Sequence, residues 1–307
     1  MIISITGDLG SGKSAVAKEL CKKINFRYIS TGSLHREIAE EYAVDSLKLN
    51  QIAKTDFSID DRIDNYLKSL DESEENIIID SRLAWYFVRS SIRFYFEVNP
   101  KVAAERVFND NTRKNEPLYT DITSALNALQ ERKKIENDRF KMRYGVECDD
   151  LSNFDSIINT SLSSIDEICE TMIKIINQIR NKNKYPNHLI NPRLLFPTEN
   201  IRFVESKEAK DICLSIKNNG FDYDYPIECV EYGYDYFIWN GHKRCSGAIL
   251  NNINFVPIVV LAKNKEEIYK RPASELFAKN AMSLSSYHDW EDFHKFNFIT
   301  YPCKNIE

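Results

Sequence analysis

The residues best suited to chemistry lie at the start of the chain, in the segment Gly7-Asp-Leu-Gly-Ser-Gly-Lys-Ser14. The segment fits G-x-x-x-x-G-K-[ST] at every fixed position, the pattern of a loop that binds nucleotide phosphates through backbone N–H groups. We expect Lys13 to reach the β- and γ-phosphates of ATP, and the Ser14 hydroxyl to ligate Mg²⁺. The predicted loop residues are Gly7, Gly10, Ser11, Gly12, Lys13 and Ser14.

A strand before the loop and a helix after it would hold these residues in place. Met1-Ile-Ile-Ser-Ile-Thr6 is an apolar run rich in β-branched residues, and helical spacing begins at Ala15. Four more apolar runs, separated by helical patterns, predict strands at 26–30, 76–80, 91–99 and 154–160. Strands that alternate with helices imply an α/β fold, here with a five-stranded parallel sheet covered on both faces.

Asp80 ends the third of these strands and is the second candidate metal ligand. A carboxylate at the end of a strand opposite a phosphate loop commonly holds the metal ion or its bound water. The alternative for Asp80 is a carboxylate that caps the next turn. The sequence therefore predicts a Mg²⁺ site made by Ser14 and Asp80.

Three stretches beyond the phosphate loop carry a family resemblance. Tyr28-Ile-Ser-Thr-Gly-Ser-Leu-His-Arg36 fits S-[TA]-G-x-x-x-R, and Ile79-Asp-Ser-Arg-Leu-Ala84 fits an acidic-x-R-L element. The third stretch, 136–161, includes E-x-x-R-[YF] and D-L-S-x-[YF]-D. With the loop, these four ordered matches make residues 1–180 resemble the nucleoside monophosphate kinases, most closely the short cytidylate kinases.

The resemblance implies roles for residues outside the loop. The residues that would bind the acceptor monophosphate are Ser30, Thr31, Arg36 and Arg82. The residues that would be catalytic are Lys13, Asp80, Arg132 and Arg139. A guanidinium suits both tasks, because its planar fork binds two phosphate oxygens and its charge stabilises the transferred phosphoryl group.

Two features of the sequence qualify these roles. His35 stands where the family commonly has Tyr or Phe, and this departure bears on the choice of base. We interpret His35 as a half-buried aromatic substitute, since phosphoryl transfer between phosphates needs no strong base. Residues 101–144 form a mostly polar helical region that we expect to move over bound phosphates as a lid. Arg113 and Arg143 also lie in this lid region and compete with Arg132 and Arg139 for the catalytic role.

The pattern of the chain changes after residue 180. Residues 181–188 are polar, contain a proline and lack apolar periodicity, which is typical of a linker. The element order over 187–264, with E-N-I-R at 199–202 and G-H-K-R at 241–244, resembles the ParB/sulfiredoxin-like superfamily and implies a small α+β domain. We expect the helical, aromatic tail at 265–307 to pack on this domain or on a partner subunit in an oligomer.

A second phosphate site is predicted in this domain, because a glycine opens a helix beside cationic side chains. The residues predicted to form it are Glu199, Arg202, Gly241, His242, Lys243 and Arg244. Glu199 falls where amino-acid kinases of that superfamily carry an acidic base, and a surface carboxylate is the alternative. Because many functions share the superfamily, the resemblance alone does not fix the ligand.

Composition excludes several classes of protein. The 307 residues are 43% hydrophobic and 28% charged, as in ordinary globular proteins. Without a long apolar run or a signal-peptide pattern, we expect a cytoplasmic protein with no membrane partner. Seven scattered cysteines without a C-x-x-C pair argue against a disulfide framework and a zinc site. Neither half of the chain is net positive, which weakens non-specific nucleic-acid binding.

The leading hypothesis is a P-loop kinase that moves the γ-phosphoryl group of ATP to a cytidylate-like nucleoside monophosphate. One alternative keeps this chemistry, but the acceptor is a modified nucleotide within DNA. The second domain would then bind the DNA strand. Another makes the protein a nucleotide-binding switch with little turnover. Release of ADP with and without each candidate acceptor distinguishes these hypotheses.

Overall fold

The computed structural model describes residues 1–53, 55–110, 119–263, 265–280 and 282–302. The chain forms two compact units, Met1–Asn183 and Lys184–Glu307. Each unit buries apolar side chains of its own strands and helices.

The first unit is an α/β fold built on five parallel strands. These strands are β1 Ile2–Gly7, β2 Arg27–Ser30, β3 Ile77–Asp80, β4 Ile92–Glu97 and β5 Ser156–Asn159. Their order within the unit is β2-β3-β1-β4-β5, and every neighbouring pair is parallel. All residues of β1 are buried, as expected of a central strand covered on both faces. The predicted parallel sheet is confirmed.

Helices separate these strands along the chain. They are α1 Lys13–Ile24, α2 Thr31–Glu41, α3 Ser46–Ile52, α4 Ser58–Asp71, α5 Ala84–Phe87, α6 Pro100–Asn109, α7 Ile122–Tyr144 and α8 Ile165–Arg180. The long helix α7 begins at a capping box in which the Asp121 side chain accepts from the Ser124 N–H. A second capping box, Ser164 with Glu167, begins α8. Both helix starts are therefore encoded locally.

The second unit is built on a mixed sheet. Its elements are β6 His188–Ile190, β7 Leu195–Phe196, α9 Lys207–Asn219, β8 Ile227–Tyr232, β9 Asp235–Asn240, α10 His242–Leu250 and β10 Val256–Ala262. The strand order within this unit is β6-β10-β8-β9-β7. Strand β8 runs antiparallel to β9 and parallel to β10. The sheet thus combines parallel and antiparallel pairs, which fits an α+β unit.

The C-terminal segment is less uniformly helical than the sequence suggested. A hairpin of β11 Glu267–Ile268 and β12 Arg271–Pro272 precedes α11 Ala273–Asn280 and α12 Leu284–His294. Tyr269 and Lys270 form its two-residue turn with φ of 48° and 65°. In α12, Tyr287 and Trp290 are buried in the core of the second unit. Phe293 and Phe296 pack against the same core, so these aromatic residues of the tail lie inside their own unit.

The cysteines that the structure describes are all free thiols. The buried ones are Cys21, Cys148, Cys169, Cys229 and Cys245. Burial raises the pKa of Cys169 to about 11 and that of Cys148 to about 12, so both remain protonated at neutral pH. Across the described ranges, no helix has both the length and the apolar character needed to cross a membrane.

Candidate functional site

The phosphate loop joins β1 to α1, and its path requires glycine at two positions. Gly7 has φ of 144°, and a Cβ there would lie 2.3 Å from the Phe96 carbonyl oxygen. Gly12 has φ of 84° and is the N-cap of α1. A Cβ at Gly12 would meet nothing within 4 Å, so the loop leaves open space at the positive end of the helix. Phosphate oxygens can approach the backbone N–H groups there.

Lys13 folds back over the loop. Its Nζ donates to the carbonyl oxygens of Gly7 at 2.9 Å and Asp8 at 2.7 Å. Burial, and then the nearby charge of Arg82, lower the pKa of Lys13 to about 7. A phosphate would provide the negative charge that this ammonium lacks. Lys13 is thus placed to exchange two carbonyl contacts for phosphate contacts.

Ser14 and Asp80 lie together, as the sequence predicted. The Ser14 hydroxyl donates to Asp80 Oδ2 at 2.5 Å, and the Tyr28 hydroxyl donates to the same oxygen at 3.1 Å. These are hard oxygen ligands, and Mg²⁺ in phosphate sites is commonly held by one or two such groups together with phosphate oxygens. Within the described part of the chain, no cluster of three or more His, Cys, Asp or Glu side chains forms a metal site. The donor set therefore fits Mg²⁺ bound jointly with a nucleotide.

A buried carboxylate, Glu136, joins two of the predicted arginines. Its Oε2 lies 3.0 Å from Arg82 Nε, and its Oε1 lies 2.9 Å from Arg132 Nε. Burial raises the pKa of Glu136, but the two guanidinium groups outweigh it and lower that pKa to about 2. Arg82 Nη1 also donates to the Gly7 carbonyl. Glu136 therefore ties helix α7 to the phosphate loop through Arg82.

Three polar side chains near this network have buried atoms without hydrogen-bond partners. We call His35, Asp60 and Arg139 the buried polar cluster. The atoms without a partner are His35 Nε2, Asp60 Oδ2, Arg139 Nε and Arg139 Nη1. Arg139 Nη2 lies 3.7 Å from Asp60 Oδ1, and both side chains are 4% exposed. Buried polar atoms are rarely left unpaired in folded proteins, so these four atoms are available to a polar ligand or to water.

His35 belongs to this cluster as a neutral ring. Burial lowers the pKa of His35 to about 4. Glu136 raises that pKa, whereas Arg132 and Arg139 lower it. At neutral pH, His35 therefore contributes a hydrogen-bonding ring nitrogen and no charge.

The other predicted acceptor residues lie on and before α2. Ser30 caps α2, and its Oγ accepts from the Ser33 N–H at 3.3 Å. Thr31 is buried at the first position of α2. Arg36 donates to Ser33 Oγ at 3.2 Å and does not join the Arg82–Glu136–Arg132 contacts. Arg36, on α2, and Arg82, between β3 and α5, were both predicted to bind the acceptor phosphate, but they are held by different contacts.

Two competing lid arginines have different positions. Arg113 lies outside the described residues. Arg143 binds Asp61 through Nη2 at 2.6 Å, and its Nε lies 4.0 Å from Asp60 Oδ2. Arg143 thus borders the buried polar cluster from the outer side of α4, whereas Arg139 lies within it.

In the second unit, His242 links two residues that precede α9. Its Nε2 accepts from the Thr198 N–H at 3.0 Å, which leaves the ring proton on Nδ1. Nδ1 then faces Glu199 Oε2 at 3.5 Å. Burial lowers the pKa of His242 to about 4, so the ring is neutral at neutral pH and carries its proton on the nitrogen nearest Glu199.

The cationic residues predicted for the second phosphate site are engaged within the protein. Lys243 pairs with Glu208. Arg244 Nη1 donates to the carbonyl oxygens of Tyr225 at 2.6 Å and Pro226 at 2.9 Å. Gly241 has φ of 112° and caps α10, and the Arg202 guanidinium lies 5.2 Å from the Phe203 ring centre. Arg244 therefore holds the segment before β8.

Sequence reasoning did not single out Tyr28, Asp60 or Glu136 as site residues. Glu136 lies in the E-x-x-R-[YF] element and Tyr28 begins the S-[TA]-G-x-x-x-R stretch, so the motifs contained a signal for both. Asp60 had none beyond its place in the first turn of α4. Its pairing with Arg139 depends on how α4 and α7 pack.

Known proteins resemble the first unit. A cytidylate kinase of Sulfurisphaera tokodaii is 36% identical over 185 residues, which are 60% of this chain and 99% of that protein. A cytidylate kinase of Sulfolobus acidocaldarius is 34% identical over 181 residues, 58% of this chain and 95% of that protein. The solved structure of a shikimate kinase from Bacteroides thetaiotaomicron covers 58% of this chain and 98% of its own, at 16% identity and a TM-score of 0.43.

The family assignment comes from the sequence profile of the first unit. Residues 2–162 match the profile of the cytidylate kinase-like family. The match contains the whole phosphate loop, Asp80 and Glu136, whose contacts form one continuous site. Since the matched segment is more than half of the sequence, the chain belongs to the cytidylate kinase-like family, and it is a P-loop kinase.

Proposed function

We propose that the first unit transfers the γ-phosphoryl group of ATP to a cytidine monophosphate. The observation that carries the choice of acceptor is the buried polar cluster, with its unpaired atoms on His35, Asp60 and Arg139. A nucleotide base that reached these atoms would restore the missing hydrogen bonds. Leaving such groups unpaired costs about 1–3 kcal/mol each, so the gain on binding is large.

The hydrogen-bonding pattern of the cluster favours cytosine over uracil. Cytosine presents an amino donor at N4 and acceptors at N3 and O2. Asp60 Oδ2 matches the amino group, and the free guanidinium N–H groups of Arg139 match the two acceptors. Uracil would place its O4 acceptor against the Asp60 carboxylate and its N3–H donor against the guanidinium. We expect a preference of about 1–3 kcal/mol for the matching base.

The remaining residues have complementary tasks. The loop N–H groups and Lys13 would bind the phosphates of ATP. Arg82 and Arg132, which Glu136 bridges, would stabilise negative charge near the transferred group. Arg36, Ser30 and Thr31 remain predicted contacts of the acceptor phosphate. Mg²⁺, held by Ser14 and Asp80 with the nucleotide, would neutralise charge on the β- and γ-phosphate oxygens.

The test is ADP release by the full chain with ATP, Mg²⁺ and one acceptor at a time: CMP, dCMP, UMP, dTMP or single-stranded DNA. We expect turnover with CMP or dCMP, and kcat/KM at least about tenfold lower with UMP. Phosphorylation of DNA without turnover of any free cytidylate would replace this proposal with the DNA acceptor. Tight nucleotide binding without turnover would replace it with the regulatory switch.

We also propose that the second unit is a ParB/sulfiredoxin-like domain that binds a phosphate-bearing ligand at the start of α10. Support comes from the left-handed cap at Gly241, the mixed sheet, and the Glu199 carboxylate, which lies 3.5 Å from His242 Nδ1. Because Arg244 also holds the segment before β8, its loss would disturb structure. Lys243→Ala is the cleaner variant, and it should weaken the binding of phosphoserine or nucleotide to a full chain whose first site is saturated.

A further inference from the structure

A cavity of about 770 Å³ lies in the first unit outside the phosphate loop and the buried polar cluster. Its aromatic lining consists of Phe57, Tyr86, Phe87 and Tyr144. This volume is within the range of about 300–1,000 Å³ that is typical of small-molecule sites. The cavity is therefore large enough for a mononucleotide, and the phosphate-transfer site does not use it.

The two carboxylates in this cavity share the single guanidinium of Arg143. Asp61 accepts from Arg143 Nη2 at 2.6 Å. Asp64 accepts from the Tyr144 hydroxyl at 2.7 Å and lies 3.9 Å from Arg143 Nη2. The lining as a whole carries three cations, Lys68, Arg89 and Arg143, against these two carboxylates, so its net charge attracts an anion.

Two further cations lie at the rim of the cavity. Lys68 and Arg89 are exposed and line the cavity, and neither pairs with a carboxylate among the residues that the structure describes. The Lys68 ammonium lies 5.3 Å from the Phe87 ring centre, which shows that the aromatic wall and this cation are adjacent. The rim therefore favours an anionic group placed next to an aromatic surface.

The mouth of the cavity also exposes apolar surface. Phe57 is 48% exposed and Met142 is 64% exposed, although both are large apolar side chains that normally pack away from water. The Arg143 guanidinium lies 4.9 Å from the Phe57 ring centre and holds that ring at the edge of the cavity. A planar ligand could cover this surface by stacking.

We propose that this cavity binds a second nucleotide, with its base against Phe57 and Met142 and its phosphates at Lys68 and Arg89. The aromatic wall selects a planar ring, and the two unpaired cations select an anion. Arg143 connects the cavity to the buried polar cluster, because it lines the cavity and its Nε lies 4.0 Å from Asp60 Oδ2 of the cluster. A nucleotide that draws on Arg143 would alter the charge beside Asp60 and so regulate acceptor binding, a coupling that rests on the proposed function.

The test measures binding and not turnover. The full chain is first saturated with a bisubstrate analogue in which adenosine and cytidine are joined through phosphates, and ATP, CTP, GTP and UTP are then titrated by calorimetry. The titration is made in a Lys243→Ala background, so that the ligand site proposed for the second unit contributes little, and we expect one further nucleotide per chain. The double variant Lys68→Glu/Arg89→Glu should weaken it at least tenfold, and Phe57→Ala should weaken it without a change of charge.

The control variant is Lys22→Glu/Lys174→Glu, which makes the same charge change on exposed residues of α1 and α8. It should retain the second nucleotide, and all variants should bind the bisubstrate analogue as the wild type does. The proposal would be overturned if no further mononucleotide bound, or if the Lys68/Arg89 and control variants bound it equally. It would also be overturned if a single-stranded oligonucleotide bound and mononucleotides did not. Binding of the bisubstrate analogue reports the first site independently, so the two proposals can fail separately.

Discussion

The phosphate loop and the buried polar cluster satisfy their polar groups in opposite ways. In the loop, Lys13 bonds two carbonyl oxygens, Ser14 bonds Asp80, and the Ser11 hydroxyl donates to the Asp8 carbonyl at 2.8 Å. In the cluster, four buried atoms have no hydrogen-bond partner. A ligand must therefore replace existing bonds in the loop, whereas it adds missing bonds in the cluster.

This difference separates general phosphate binding from selection of the acceptor. The loop is made mostly of backbone, which any nucleoside triphosphate can engage through its phosphates. The cluster is made of side chains, and only a ligand with matching donors and acceptors can form hydrogen bonds with its unpaired atoms. Changes in the loop should therefore affect all substrates, while changes in the cluster should affect some more than others.

Replacing Lys13 should have the largest effect. Lys13→Ala removes the charge that the loop reserves for phosphate, and we expect kcat to fall by roughly three orders of magnitude with every acceptor. Lys22→Ala, on an exposed position of the same helix, is the control and should keep full activity. Equal loss in both, or normal turnover of a folded Lys13→Ala protein, would contradict the role given to Lys13.

Replacing Glu136 should mainly cost stability. Glu136→Gln leaves the Arg82 and Arg132 guanidinium groups without their shared carboxylate, and we expect a loss of roughly 3 kcal/mol in the free energy of unfolding. Glu147→Gln, which removes an exposed partner of Lys141, should cost much less, because solvent screens a surface ion pair. Chemical denaturation of both variants measures the difference.

The same carboxylate predicts how stability depends on pH. The pKa of Glu136 is lowered from 4.5 to about 2 on folding. Its stabilising contribution is therefore complete above pH 4.5 and is lost as the pH falls from 4.5 towards 2. Between these values the Tm of the wild type should fall more steeply than that of Glu136→Gln. Parallel slopes would mean that Glu136 does not hold its charge as the contacts imply.

Replacing Asp60 should have the smallest but most selective effect. Asp60→Asn exchanges a pure acceptor for an amide that can also donate, so kcat/KM for CMP should fall and the preference for CMP over UMP should shrink by about tenfold. Asp166→Asn, at an exposed carboxylate on α8, should leave the ratio unchanged. An unchanged ratio in Asp60→Asn would remove Asp60 from base selection.

Features encoded within a few residues were predictable from the sequence, and those made by distant elements were not. The loop and the strands of the first unit follow from glycine spacing and short apolar runs. The pairing of Asp60 with Arg139 joins α4 to α7, and no local pattern reports it. The β11–β12 hairpin was missed because Tyr269 and Lys270 occupy turn positions that usually carry Asn or Gly. The internal partners of Arg244 also required the tertiary structure.

A buried thiol in each unit can report how often the core of that unit opens transiently. Cys169 lies in the core of the first unit and Cys245 in that of the second, where each is fully shielded from reagents. A thiol-specific reagent can reach either cysteine only when the surrounding core opens. The rate at which that cysteine is labelled therefore measures transient opening of its unit. Ligands that slow one rate and not the other would reveal which unit they close, without any assay of phosphoryl transfer.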